Sequence, residues 1–283
     1  MRRDKLITPE VANLLRPWFS GATVGAQPVI HDAPAVLEQP DHAVTLTWRV
    51  GSDDPHDIVI MGPRTQARYR LGQPGRDCLQ LRFLPGRAVD FLGLPLRELA
   101  DRAVAAADLD STSLRTFVQA IAAGGSQVAS QSHAARLRAL TAALPDAPSA
   151  HSDRAALRRH IVAEATALLS IGDGVPRESV HRVARRLNVS ERHLRTVFAD
   201  GTGLTPSQFV RLDRVRAVLT RIQQKLPEVS TTAGYYDQSH MTAEFHRVMG
   251  VTPSAFTMRR WPTTEACTAD RKPVGFSRRA GSG

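Results

Sequence analysis

Two short stretches of this chain carry side chains able to read the edges of base pairs. In the first, Arg192 and Arg195 can each donate two hydrogen bonds to O6 and N7 of guanine. Thr196 can touch a thymine methyl, and Glu191 can accept from cytosine N4. In the second, Gln238 can pair with adenine, Ser239 and Thr242 are less selective, and Ala243 takes the last outward place. His193 and His240 occupy matching positions. Capping or phosphate contact suits them better than base reading or metal binding. For any single one of these residues the alternative is an ordinary solvated helix face.

The stretches are two copies of one pattern. RHLRTVFADGTGLTPSQF, from Arg192 to Phe209, aligns without gaps on SHMTAEFHRVMGVTPSAF, from Ser239 to Phe256, at an offset of 47 residues. Such a repeat fixes architecture before any other feature does. Two copies are too few for a solenoid and indicate a pair of similar subdomains. Ser190 and Asp237 are N-cap types three residues before the paired histidines. Leu194, Val197 and Phe198 make one apolar stripe, and Met241, Phe245 and Val248 the other. Gly203 and Gly250 suit helix exits, and Pro206 and Pro253 suit the first turn of the helix that follows.

A further helix precedes each unit. Val180, Val183, Ala184 and Leu187 mark the first, ahead of a tight Asn188-Val189 connection. Helix, short turn, helix is the pattern whose second member can enter a major groove. The counterpart from Val229 to Ala233 is weaker, since Ser230, Thr231 and Thr232 are poor helix formers. A longer helix, Ser207 to Lys225, joins the units, buried along Phe209, Leu212, Val215, Leu219 and Ile222. Its expected span is roughly 28 Å, against about 34 Å between successive grooves.

The run Gly234 to Met241 (GYYDQSHM), then Phe245 and Gly250-Val251-Thr252-Pro253, resembles the signature of the AraC/XylS family of bacterial transcription regulators. Ser190 to Leu194 and Phe198 resemble that family's first recognition helix. The resemblance covers roughly Arg154 to Arg260. It implies a transcription regulator, not an enzyme, with two helix-turn-helix units and double-stranded DNA as partner. It departs from the family at Ser230 and Ala243, where Ala and often Arg are usual. The second unit is therefore expected to anchor, and the first to read bases.

Charge is divided accordingly. The net charge is +10 overall, of which residues 1–150 hold +1 and residues 151–283 hold +9. A near-neutral half joined to a basic half fits a nucleic-acid binder with a separate control or assembly domain. Arg182, Arg185, Arg186, Arg211, Arg214, Arg216 and Arg221 are candidates for a phosphate-facing field. Cys78 and Cys267 fall in different halves, which suits a reducing cytoplasm. No Cys/His group has zinc spacing, and neither a signal peptide nor a transmembrane run is present in the sequence. No metal or cofactor is expected.

The chain divides by composition. Residues 1–110 read as a β-rich sensor or assembly domain, with strands near His42–Val50, Asp57–Met61, Ala67–Leu71 and Cys78–Phe83 between Pro- and Gly-rich turns. Residues 111–152 read as helices and a linker at Pro145 to Ser152. Residues 153–261 are the double helix-turn-helix domain, and residues 262–283 a disordered basic tail. The fold class is α+β. The first half also resembles, through VIMGP at Val59 to Pro63 and RFLPG at Arg82 to Gly86, the cupin-like domains attached to many such regulators. That implies effector sensing or dimerisation, and RNA polymerase as a partner if the protein activates. Trp48, Tyr69 and Phe83 are candidates to line an effector pocket, with plain core as the alternative. His31, His42 and His56 lack metal-site grouping and read better as surface residues. Two rivals stand beside the effector-responsive regulator: a ligand-independent dimeric regulator, and a DNA-repair enzyme carrying the same domain, which would need a reactive cysteine.

Both helix-turn-helix cores lie between His151 and Arg260, so that fragment is expected to fold and bind duplex DNA alone. Filter binding or anisotropy at 50 and 200 mM salt should show affinity falling by roughly 10³-fold or more, if about six phosphates are contacted.

Overall fold

The computed structural model describes residues 13–25, 29–30, 35–49, 57–71, 78–125, 141–142, 144, 153–171, 178–262 and 265–266. The expected linker at Pro145–Ser152, His31, His56 and most of the Ala134–Leu144 helix lie outside them. The first half runs β1 (Phe19–Gly25), β2 (Val29–Ile30), β3 (Ala35–Glu38), β4 (Thr45–Arg49), β5 (Ile58–Met61), β6 (Arg68–Leu71), β7 (Cys78–Phe83), α1 (Ala88–Leu92), β8 (Ala103–Ala105) and α2 (Thr112–Gly125). The second runs α3 (Asp153–Leu169), α4 (Val180–Arg186), α5 (Glu191–Thr202), α6 (Pro206–Thr220), α7 (Leu226–Thr232), α8 (Gln238–Met249), α9 (Pro253–Thr257) and β9 (Glu265–Ala266).

One sheet has the order β1-β7-β4-β5-β8 and is antiparallel throughout. Period-two alternation puts Leu46 and Trp48, Ile58 and Ile60, and Leu79, Leu81 and Phe83 on its buried face. There they meet Phe91 and Leu92 of α1, Leu96, Leu99, Leu114 and Phe117. Trp18, Phe19 and Phe83 converge on Phe91, with ring centroids 5.2, 6.4 and 5.4 Å away. Trp48 belongs to this core and is 5% exposed.

The second sheet, β2-β3-β6-β9, packs against the helical half. Leu37 and Ala67 join the core formed by α3 to α9, separate from the core under the first sheet. Its last strand corrects the sequence reading of a structureless tail. Glu265 and Ala266 pair in parallel with Arg70 and Leu71, while residues 267–283 lie outside the described set. α6 also ends earlier than periodicity implied, at Thr220 with Arg221 as its C-cap. It spans roughly 22 Å rather than 28 Å.

The repeat in sequence becomes a repeat in packing. Phe198 meets Phe209 at 5.5 Å and 80°, and the equivalent Phe245 meets Phe256 at 5.8 Å and 82°. Edge-to-face pairs of this kind add about 0.5–1.5 kcal/mol beyond their buried area. α6 opens with a full capping box between Thr205 and Gln208, and Thr252 caps α9.

The two halves meet along a polar seam. Asp41 takes Arg82 at 2.5 Å and Arg216 of α6 at 3.3 Å, while the Ala43 N–H donates to it. Burial alone would raise the Asp41 carboxyl, but the two guanidiniums and the N–H hold it below the usual carboxylate range. His42 lies 3.1 Å from Arg82 and edge-on to Phe209. Burial, with Arg82 and Arg216, pushes its imidazole down to about 4 against the partial opposition of Asp41. The unfolded chain binds that proton near 6.5 and the folded chain near 4. His42 therefore supports folding fully above pH 6.5 and progressively opposes it down to pH 4, by on the order of 3 kcal/mol. Asp41 adds to the loss only below 3.8. Thermal melts of the full chain should show Tm falling over that window, and His42→Gln should flatten the fall.

Candidate nucleic-acid interface

Each candidate recognition helix begins in the same way. The Ser190 side chain accepts from the His193 N–H at the start of α5, and Asp237 accepts from the His240 N–H at the start of α8. The capping interaction thus belongs to the histidine backbone, while both imidazoles face outward. The His240 ring lies 5.3 Å from Tyr235, edge to face. The preceding helices end alike as well. α4 passes through Asn188 at φ 53°, with Val189 N–H returning to Ala184 O, and α7 passes through Gly234 at φ 75°, with Tyr235 N–H returning to Ser230 O.

The turns differ by one residue. Ser190 follows Val189 directly, whereas Tyr236 stands between Tyr235 and Asp237. Tyr236 is 95% exposed, at the mouth of α8 beside the outward residues. The sequence reading missed it. The signal was there, since the repeat offset is 46 from Asn188 to Gly234 and 47 from Ser190 to Asp237.

On α5, Leu194, Val197 and Phe198 are buried, and Arg192, His193, Arg195 and Thr196 are exposed together. Arg192 has no ion-pair partner among the described residues. Glu191 is engaged on both oxygens, with Arg195 one turn on and with His181 Nδ1 of α4 at 3.0 Å. A carboxylate so occupied orients Arg195 better than it accepts from cytosine. Thr196 donates to Arg192 O. On α8, Gln238, Ser239 and Ala243 are exposed and Thr242 is half-buried. His246 and Arg247 add basic character in its last turn.

The arginines assigned by sequence to a phosphate-facing field divide. Arg182 and Arg185 are exposed, and Arg186 pairs with Glu178 at 2.9 Å. Arg216 is committed to the Asp41 seam. Arg214 pairs with Glu244 at 2.8 Å and lies 4.9 Å above the Tyr235 ring, and Arg211 is 3.6 Å from Glu244. Glu244 is 5% exposed, and a carboxylate that deep needs its cationic partners. Arg214 and Arg216 are thus structural, which sequence could not show because their acidic partners lie 30 and 175 residues away. Arg221 is half-buried and donates to Ala217 O.

Of the pocket candidates, Tyr69 donates to Met249 O at 2.7 Å and packs on Trp261 at 5.3 Å. Burial pushes its phenol well up, so it remains a donor. Phe83 lines a cavity of about 230 Å³ between the halves, together with His42, Arg82 and Phe209, not one enclosed by a barrel. The three aromatics do not share a site.

Residues 183–259 match the family model described as a helix-turn-helix domain. No curated protein matches the chain. The C-terminal domain of AraT, a response regulator from Geobacillus stearothermophilus, is similar at 19% identity over 38% of this chain and 85% of its own, with a TM-score of 0.30. A DNA-binding transcriptional dual regulator from Escherichia coli K-12 is similar at 20% over 36% and 96%, TM-score 0.29. ToxT from Vibrio cholerae O395 is similar at 10% over 85% and 93%, TM-score 0.37. The matched domain and its paired, capped, outward-facing helices define the class, a protein with a helix-turn-helix domain. Within that class, residues 183–259 are a helix-turn-helix domain of the AraC type.

If Glu191 orients Arg195, Glu191→Ala should blur the base selected by Arg195, with up to about 1–3 kcal/mol of discrimination at stake. In an Arg195→Ala background it should change nothing more. Binding-site selection on the single and double variants checks this. A separate cytosine lost in the double variant would return Glu191 to base reading.

Proposed function

We propose that this chain is a sequence-specific, effector-responsive regulator that sets α5 and α8 into neighbouring major grooves of one DNA face. The observation that carries the reading is the doubled unit: two helices with the same cap and the same aromatic pair behind them. Both present their N-terminal halves to solvent. Arg192 and Arg195 read bases on the first helix, with Thr196 in support. Gln238, Ser239 and Thr242 on the second contribute less, and Tyr236, His193 and His240 touch the backbone. Residues 153–261 form the DNA-binding part, and the half before it senses an effector, assembles a homodimer, or both. RNA polymerase is a partner if the protein activates. Catalysis has no role in this reading, and a cytoplasmic location follows from the DNA partner. Among the described residues no helix is long and apolar enough to cross a membrane.

Selection of bound sequences from a random duplex pool, with the full chain, tests the reading. Two half-sites with centres about one helical turn apart, roughly 10 base pairs, are expected. The half-site under α5 should be the more sharply defined. Arg192→Ala and Arg195→Ala should each relax single positions, whereas Tyr236→Ala should weaken binding evenly across sequences. A motif that survives both arginine changes but collapses with Gln238→Ala reverses the roles of the two helices.

A further inference from the structure

A cavity of about 380 Å³ lies between the halves, directly behind α5. Val89 and Asp90 of α1 and the Gly93–Pro95 loop form one wall, Ala155, Arg158, Arg159 and Val162 of α3 a second, and Val197, Asp200 and Gly201 of α5 the third. Its body is apolar, and its size falls within the usual range for small-ligand sites of about 300–1,000 Å³. Its charged residues are two aspartates and two arginines, joined by Arg97. Arg159 pairs with Asp90 at 2.9 Å, while Arg158, at 2.7 Å, and Arg97 both pair with Asp200. Three guanidiniums thus share two carboxylates.

We propose that this cavity binds a small amphipathic organic anion, with its apolar body inside and its acidic group on Arg158. The inference deepens the effector-responsive reading above and rests on it. Arg158 is the available cation. Its side chain is 39% exposed, against 15% for Arg159, whose partner Asp90 has no second arginine among the described residues. When Arg158 turns to a ligand, Asp200 keeps Arg97, so no buried carboxylate is left unpaired.

The same geometry couples the site to DNA. Val197 and Asp200 belong to the helix that presents Arg192 and Arg195, so a ligand resting on them biases the placement of those side chains. The equivalent place in the second unit, behind Arg247 and Val248 of α8, holds a smaller cavity of about 120 Å³. That unit's counterpart of Val197 is Glu244, closed over by Arg214 and approached by Arg211. The ligand therefore acts on the first unit.

The test uses the fluorescent anion 8-anilinonaphthalene-1-sulfonate with the full-length protein, its fold checked by circular dichroism and melting. One site per chain is expected. Ala155→Trp, which fills the cavity, and Arg158→Ala should each weaken binding at least tenfold. Gln66→Trp, which fills the separate cavity beside Arg247, should leave it unchanged. Neutral N-phenyl-1-naphthylamine should bind more weakly and be insensitive to Arg158→Ala. Saturating probe should change the DNA Kd of the wild type at least threefold and that of Ala155→Trp not at all. If Ala155→Trp fails to fold, Leu94→Trp fills the same space from the opposite wall. No binding, binding indifferent to Ala155→Trp and Arg158→Ala, or binding lost in Gln66→Trp would overturn the site. An unchanged DNA Kd at saturation would overturn the coupling. Failure of the ligand-free protein to bind any duplex would instead refute the proposed function, and the probe titration would still decide the site.

Discussion

Asp41 is the carboxylate on which the arrangement of the two halves depends. It is buried where charge is costly, and it stays ionised because one guanidinium reaches it from each side, Arg82 from the first sheet and Arg216 from the middle of α6. Removing either partner would leave a buried charge short of its counterion, so the pairings hold the sheet at a fixed place along α6. His42 is kept neutral by the same surroundings and can therefore rest edge-on against Phe209, one of the two aromatics that the repeat places behind its recognition helices.

With that seam in place, the first half grips both recognition helices near their C-terminal ends. Gly203 leaves α5 at φ 81°, and a Cβ there would fall 2.8 Å from Leu96 O and from Pro63, so close approach of the other half excludes any side chain. Asp200 ties the same turn to Arg97 and Arg158. At α8, the Ala67 N–H and the Tyr69 hydroxyl donate to Val248 O and Met249 O, carbonyls that a helix end leaves without partners of its own. The N-terminal halves of both helices stay open to solvent. Contacts at the far ends can therefore change the tilt of these helices without touching their exposed faces.

The two units share a backbone plan but not an interior. Val197 in the first corresponds to buried Glu244 in the second, and the pairing of Glu244 with Arg214 of α6 makes that unit stiff. The first unit is packed apolar on one side and borders the larger cavity on the other. This difference behind the helices parallels the difference on their outer faces, where Arg192 and Arg195 are exposed on the first and Gln238, Ser239 and Ala243 on the second.

The sequence by itself determined the doubled helix-turn-helix, its caps and its exposed faces. Each of these depends on residues within a turn or two of one another, and the 47-residue repeat states them twice. It also placed the four strands carrying Leu46, Ile60, Tyr69 and Leu81, because period-two burial is a local pattern. Only the tertiary structure decided which polar side chains were free. Arg214 and Arg216 read as phosphate-facing until Glu244 and Asp41 came alongside. Tyr69 and Phe83 were legible as strand aromatics, pocket-lining or plain core, but whether they faced a barrel interior or the other half depended on how two separate cores dock. Docking is set by pairings such as Asp41–Arg216 and Tyr69–Met249, 175 and 180 positions apart, and no local period records them.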